Sequence, residues 1–196
     1  MDIENILKKY DINIDLNMVY DMWQESNRYY HNLDHLLDLI NLINTDFERN
    51  RFDSNVYEKL LIVALFHDII YDPSSSNNEE DSAEFLKSVC SDLDKINDII
   101  QSIIDTKNHT NSSELSEIFN EYDMDIVNRD IDSLIKWEDD IFNEYHKFYT
   151  TEEYKQGRIK FINSIIDKYP GNMANLQDLL KYIEDKYTND DIEADN

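Results

Sequence analysis

The sequence has few of the residues that punctuate turns, with only two glycines and two prolines among 196 residues. Glycine and proline supply the backbone conformations of hairpins and tight turns, so a fold built from many strands is disfavoured. Cysteine is scarcer still, because Cys90 is the only one, and a single cysteine cannot form an internal disulfide. We therefore expect an all-α protein in which Cys90 is a small buried residue.

Basic residues and long apolar stretches are also scarce. Eighteen lysines and arginines stand against forty-three acidic residues, for a net charge of −25 at pH 7. Such a charge repels a phosphate backbone, so nucleic acid is not an expected partner. The longest apolar run, residues 60–66, is far shorter than the roughly 20 residues of a membrane helix, and the start of the chain has no apolar segment of signal-peptide type. The sequence predicts a soluble cytoplasmic protein without a membrane partner.

Apolar residues recur at three- and four-residue spacing along much of the chain, which is typical of amphipathic helices. One such stretch places His31 and His35 one turn apart on one face of a helix. Over residues 56–70 the apolar side chains surround almost the whole circumference, which predicts a central helix buried on most sides. His67 and Asp68 then lie at the C-terminal end of this core helix.

The length of the chain suits one domain with a sizeable core. We expect a compact helical bundle over residues 1–188. Residues 189–196 are acidic and nearly free of apolar side chains, so this tail is expected to be disordered. The oligomeric state does not follow from the sequence.

Histidines and carboxylates form a set suited to a divalent transition metal. His67 and Asp68 directly follow the apolar run, where both side chains are costly to bury unless they are paired or bind a cation. His31 lies upstream, and the acidic pair Asp130 and Asp132 lies downstream. Imidazole and carboxylate donors together suit manganese, iron, cobalt, nickel or zinc, without selecting among them.

The residues around these positions form five short motifs in a fixed order. They are Arg28-Tyr-Tyr-His31-Asn-Leu-Asp-His35, Ala64-Leu-Phe-His67-Asp68-Ile-Ile-Tyr71-Asp72, Asn78-Glu79-Glu80-Asp81-Ser82-Ala83, Ile103-Ile-Asp-Thr106-Lys-Asn-His109 and Asp130-Ile-Asp132-Ser-Leu134. Together they resemble the HD superfamily of metal-dependent phosphohydrolases, in particular a small stand-alone branch. The resemblance implies a helical domain of HD type.

The resemblance also implies a metal-ligand set. Its members are His31, His67, Asp68 and Asp132, holding one divalent ion. Asp130 is the alternative to Asp132, which we prefer because Ile131-Asp132-Ser133-Leu134 better fits the Ala-Asp-x-Leu pattern common in the superfamily. His35 and His109 are expected around these ligands or in contact with the substrate.

The implied activity is hydrolysis of a phosphate ester, on a nucleotide or another small phosphorylated metabolite, by a metal-activated water. Asp68 or Glu79 would orient or deprotonate the water, and Arg28 with Lys107 would balance charge on the phosphoryl group. Ordinary roles exist for some of these residues. Glu79 suits the first turn of a helix, and Arg28 can pair with any of many carboxylates.

Two other functions stay open. An HD-type di-iron oxygenase requires additional ligands, which only His35 and His109 could supply. A catalytically silent regulatory module would bind a nucleotide without turning it over. The spacing of His31 and His35 also matches half of a zinc metalloprotease motif, but Asn32 stands where that motif requires glutamate.

Overall fold

The computed structural model describes residues 2–187 and shows an entirely helical chain there, with ten α-helices and no β-strand. The helices are α1 (Ile3–Lys9), α2 (Leu16–Met22), α3 (Leu33–Glu48), α4 (Ser54–Phe66), α5 (Asn78–Val89), α6 (Asn97–Thr106), α7 (Glu114–Asp123), α8 (Ile131–Tyr145), α9 (Thr151–Lys168) and α10 (Met173–Lys186). Short 3-10 helices form at Leu93–Lys95, Asp125–Asn128 and Pro170–Asn172. The predicted all-α class is confirmed, whereas the predicted tail, residues 189–196, lies outside the described residues.

The chain divides into two compact units, Met1–Asp123 and Met124–Asn196. The first contains α1 to α7, and the second contains α8 to α10. A single domain over residues 1–188 stays a prediction. No helix within residues 2–187 is both long and apolar enough to cross a membrane.

Helix α4 runs through the core of the first unit and packs against α3, α6 and α7. Every side chain of residues 60–66 is buried, because this stretch is apolar around its whole circumference. Asp53 caps the helix: its Oδ1 accepts hydrogen bonds from Asn55 N and Val56 N, both at 2.9 Å. The predicted central helix is confirmed, and His67 follows its last residue.

Helix α3 turns one of the predicted histidines inward. Asn32 caps the helix through its Oδ1, which accepts from Asp34 N and His35 N. His35 then lies on the buried face of the helix. His31 precedes the cap, so the prediction that it shares a helical face with His35 is wrong, although the two rings are 6.1 Å apart.

The second unit packs α10 against α8 and α9. Its interior holds an ion pair among apolar side chains: Arg158 Nε donates to Glu138 Oε2 at 2.8 Å, and Tyr154 Oη donates to Glu138 Oε1 at 2.7 Å. The guanidinium of Arg158 also lies over the Trp137 ring. These contacts supply the partners that a buried carboxylate requires.

Candidate metal centre

Three helix termini of the first unit converge on one buried group. His35 lies in the first turn of α3, His67 follows the end of α4, and Asp123 is the last residue of α7. One ligand atom from each lies within 4.8 Å of the others. Among residues 2–187, this is the group of three whose spacing can hold a metal ion.

Asp123 lies at the centre of this group. Its Oδ1 is 3.3 Å from His35 Nε2 and 3.6 Å from His67 Nε2. Its other oxygen, Oδ2, is 3.3 Å from His109 Nε2. One carboxylate therefore contacts three imidazoles.

The two most buried histidines direct unpaired nitrogens at this point. His67 Nδ1 lies 3.1 Å from the carbonyl oxygen of Ala64, so in the neutral ring Nδ1 carries the proton and Nε2 has the lone pair. The Nε2 atoms of His35 and His67 are both buried, and neither forms a hydrogen bond of acceptable geometry within the described chain. A buried polar atom without a partner costs about 1–3 kcal/mol, and a metal ion would use both lone pairs. The donor set therefore fits a divalent transition metal.

Charge at the group also favours a cation. Burial lowers the pKa of His67, but the carboxylates of Asp68 and Asp123 outweigh it and raise this pKa to about 10. Burial raises the pKa of Asp123, whereas its contacts with His109, His35 and His67 bring this pKa well below its usual value. The carboxylates are thus ionised and favour a proton on His67 in the metal-free chain, which a bound metal would displace.

Asp68, a predicted ligand, lies beside the group. Its Oδ2 is 3.2 Å from His67 Nε2, and its side chain keeps 13% of its surface exposed. Burial raises the pKa of Asp68, but the charges of His67 and His31 lower it below its usual value. Asp68 is therefore an ionised carboxylate at the edge of the group.

His31, another predicted ligand, lies near the group, with its ring centroid 6.1 Å from that of His35. Its ring stacks on Tyr71 at 4.5 Å, and it is partly exposed. It is not a member of the three-residue group, where His35 supplies the corresponding imidazole. A ligand role for His31 stays a prediction.

The predicted distal carboxylates lie in the second unit, at the start of α8. Asp130 caps that helix by accepting from Ser133 N at 2.9 Å, and this hydrogen bond lowers its pKa. Asp132 is exposed in the first turn of α8. Neither belongs to the three-residue group, and a ligand role for either stays a prediction.

Asp123 was missed in the sequence, although a signal for it exists. Leu115, Phe119 and Tyr122 form the buried face of α7 at helical spacing. Asp123 follows Phe119 by one further turn, so the same periodicity turns its carboxylate inward. A carboxylate on an apolar helix face requires a partner, which makes it a candidate ligand.

His109 lies in the loop between α6 and α7, with a backbone φ of 48°. This left-handed conformation is uncommon for residues other than glycine and is often found at functional sites. The amide of His109 donates to Thr106 O at 3.2 Å, and the resulting turn directs its imidazole toward Asp123. The loop therefore adds a third imidazole nitrogen near the group.

Lys107, predicted to contact phosphate, pairs with acidic residues of α5. Its Nζ lies 2.7 Å from both carboxylate oxygens of Glu80 and 2.5 Å from Ser76 O. Glu79 is 3.9 Å away, and burial raises the pKa of this carboxyl. The ammonium of Lys107 thus closes the loop before α5 against the end of α6.

Arg28, the other predicted phosphate contact, has no exposed side-chain surface. Its guanidinium donates to the backbone carbonyls of His31, Asp68 and Ile69. A contact between Arg28 and phosphate stays a prediction.

Comparison with protein-family models, curated proteins and solved structures finds no match to this chain. The resemblance to the HD superfamily therefore rests on the five motifs. Because a fold by itself does not define a function, the function has to be inferred from the residues of the site.

Proposed function

We propose that this protein is a metal-dependent phosphohydrolase of HD type, with His35, His67 and Asp123 holding one divalent transition metal. The observation that carries the proposal is the pair of buried histidine Nε2 atoms that converge on Asp123 without hydrogen-bond partners. Asp68 and His109 complete the polar surroundings of the ion. A bound divalent ion supplies Lewis-acid polarisation of a phosphoryl oxygen and lowers the pKa of water.

The carboxylates at the edge of the group handle the proton of the attacking water. Asp68 is ionised and partly exposed, so its carboxylate would accept a hydrogen bond from the water and orient it. Glu79 is the stronger base of the two, since burial and the charge of Asp68 raise its pKa. It is our candidate for receiving the proton.

A small phosphorylated metabolite, such as a nucleotide, is the proposed substrate. The net charge of −25 repels any anion at long range, so attraction has to come from groups at the site itself. His31 and His109 are partly exposed beside the group and can donate to phosphate oxygens. Lys107, which lies 3.9 Å from Glu79, would add positive charge beside that carboxylate.

The metal content of untagged protein tests this proposal. We expect close to one equivalent of transition metal by mass spectrometry in the unaltered protein, and a loss of at least about tenfold in Asp123→Asn and in His35→Gln. Asp132→Asn and His146→Gln are matched controls that should keep the metal. Protein that holds its metal would then be assayed for phosphate release from a panel of phosphate esters.

Failure of the unaltered protein to bind manganese, iron, cobalt, nickel or zinc on reconstitution would contradict the proposal. Loss of metal in Asp132→Asn with retention in Asp123→Asn would instead restore the ligand set first predicted from the sequence. Binding of a nucleotide without phosphate release, in the presence of each metal, would support the silent regulatory module.

The position of His109 supports a second candidate, the di-iron oxygenase. Asp123 contacts His35 and His67 through Oδ1 and His109 through Oδ2, so its two oxygens face different donors. Two irons per chain, both lost in His109→Gln and Asp123→Asn, would favour oxygen chemistry. One equivalent of metal that survives His109→Gln would favour the hydrolase.

A further inference from the structure

Arg28 has hydrogen bonds that a substrate-binding arginine does not need. Its Nη1 donates to Asp68 O at 2.7 Å and to His31 O at 3.2 Å, and its Nη2 donates to Ile69 O at 2.9 Å. Its side chain has no exposed surface. The guanidinium is therefore directed at backbone carbonyls and is closed off from solvent.

These carbonyls belong to two segments that are far apart in sequence. His31 lies in the segment that leads into α3 and His35, whereas Asp68 and Ile69 lie in the turn that follows α4 and His67. The carbonyls of a turn outside a helix have no helical hydrogen bonds, so other donors have to satisfy them where they are buried. Arg28 does so for the turn after α4 and ties that turn to the start of α3.

The surroundings of Arg28 fix its own position. The guanidinium lies over the rings of Trp23 at 5.4 Å and Tyr71 at 5.3 Å, and its Nε donates to Glu25 Oε2 at 3.1 Å. Trp23 in turn donates from Nε1 to Leu65 O at 3.0 Å and packs against the ring of His67 at 5.4 Å. The two aromatic rings and the Glu25 carboxylate thus fix the position of the planar guanidinium.

We propose that Arg28 is a positioning residue that sets the spacing between His35 and His67 and so determines the metal affinity of the site. The inference rests on the proposed function, because it requires that these histidines bind a metal. It replaces the phosphate contact expected from the sequence with a role exerted through backbone carbonyls. Lysine cannot take this role, since one ammonium lacks the planar fork that reaches several carbonyls.

Arg28→Lys tests the proposal, with Co²⁺ alone as the probe. We expect its Co²⁺ affinity, measured by competition with a chromophoric chelator, to fall about 10- to 100-fold, and its visible absorption spectrum to change. Arg158→Lys is the matched control, because it alters another largely buried arginine, in the second unit. It should leave both the affinity and the spectrum unchanged. Far-UV circular dichroism verifies that each variant is folded.

Glu25→Gln keeps the inference testable if Arg28→Lys does not fold. The Glu25 side chain is half exposed, so its replacement should preserve the fold while it removes the carboxylate that holds Arg28 Nε. We expect a three- to tenfold loss of Co²⁺ affinity, because Arg28 keeps its carbonyl contacts and loses only a half-exposed ion pair.

The outcomes separate this inference from the proposed function. Tight Co²⁺ binding by the unaltered protein, with equal affinity and an identical spectrum in folded Arg28→Lys, would overturn the role of Arg28 alone. If Arg28→Lys is unfolded, unchanged affinity and spectrum in Glu25→Gln would overturn it. Absence of Co²⁺ binding by the unaltered protein would overturn both proposals.

Discussion

At the scale of single residues, the site depends on which buried polar atoms have partners. The Nε2 atoms of His35 and His67 have none among the described residues, whereas Asp105 in the same unit has several. A buried polar atom without a hydrogen-bond partner favours binding of a ligand, whereas one with partners stabilises the fold. This difference separates the candidate metal ligands from a structural carboxylate in the first unit.

Asp105 provides a prediction about pH. Its carboxylate accepts hydrogen bonds from Ser112 Oγ, from Ser116 Oγ at 2.6 Å and from Gln101 Nε2 at 2.9 Å. Burial raises the pKa of Asp105, but these hydrogen bonds outweigh it and lower the pKa below 3.8. The ionised group therefore stabilises the fold above about pH 3.8, and this contribution is lost as the pH falls through the folded-state pKa.

We expect Asp105→Asn to reduce the free energy of unfolding by about 1–3 kcal/mol near pH 7, with a smaller reduction at acid pH. Urea unfolding of both proteins, from about pH 7 down to about pH 3, measures this difference. Asp94→Asn, at an exposed position in a short 3-10 helix, is the control. A deficit for Asp105→Asn that stays constant over the whole range would contradict the assigned role.

At the scale of elements, the site is assembled from helix termini. His35 opens α3, His67 follows α4 and Asp123 closes α7, so the group depends on where three helices begin and end. A side chain sets the first of these positions, and another stabilises the opposite end of α4. Asn32 caps α3 and Asp53 caps α4, and each stabilises the helix that carries a histidine.

The Asp53 cap can be tested directly. Because Asp53 Oδ1 satisfies two amides at the start of α4, we expect Asp53→Ala to lower the free energy of unfolding by about 1 kcal/mol. Asp53→Asn retains an acceptor oxygen and should lose much less. Urea denaturation at neutral pH measures both variants. Equal losses in the two would show that the negative charge, and not the capping hydrogen bond, is responsible.

At the scale of the whole molecule, the acidic net charge has opposite effects on cationic and anionic ligands. Forty-three acidic residues against eighteen basic ones attract cations and repel anions, and these charges also repel one another. Under the proposed function, a metal ion would approach along a favourable field, while a phosphorylated substrate would depend on the ion and the histidines. Metal binding should consequently stabilise the folded chain.

Thermal unfolding measures this stabilisation. With Co²⁺ at about 100 times its dissociation constant, binding to the folded state adds about 2.7 kcal/mol, which corresponds to an increase in Tm of several degrees. Addition of a chelator should reverse the increase, and Asp123→Asn should not show it. If the two units unfold in separate transitions, the transition of the first unit should move. An equal increase in Asp123→Asn would place the bound metal elsewhere.

The sequence by itself determined the properties that depend on local spacing. The scarcity of glycine and proline and the helical periodicity predicted the all-α class. The apolar circumference of residues 56–70 predicted the central helix, which in the structure ends at Phe66. These predictions succeeded because helical periodicity is a property of neighbouring residues. The start of α3 was predicted incorrectly. The apolar spacing suggested a helix that includes His31, but Asn32 caps α3 and leaves His31 outside it.

Only the tertiary structure decided which distant residues meet. Asp123 joined His35 and His67 in the compact group, and Asp130 and Asp132 did not, because membership depends on how the end of α7 packs against the start of α3 and the end of α4. The partners of Arg28 were equally hidden in the sequence, since they are backbone carbonyls, which every residue possesses. Short-range patterns specify the helices, whereas the packing of their ends selects the atoms of the site.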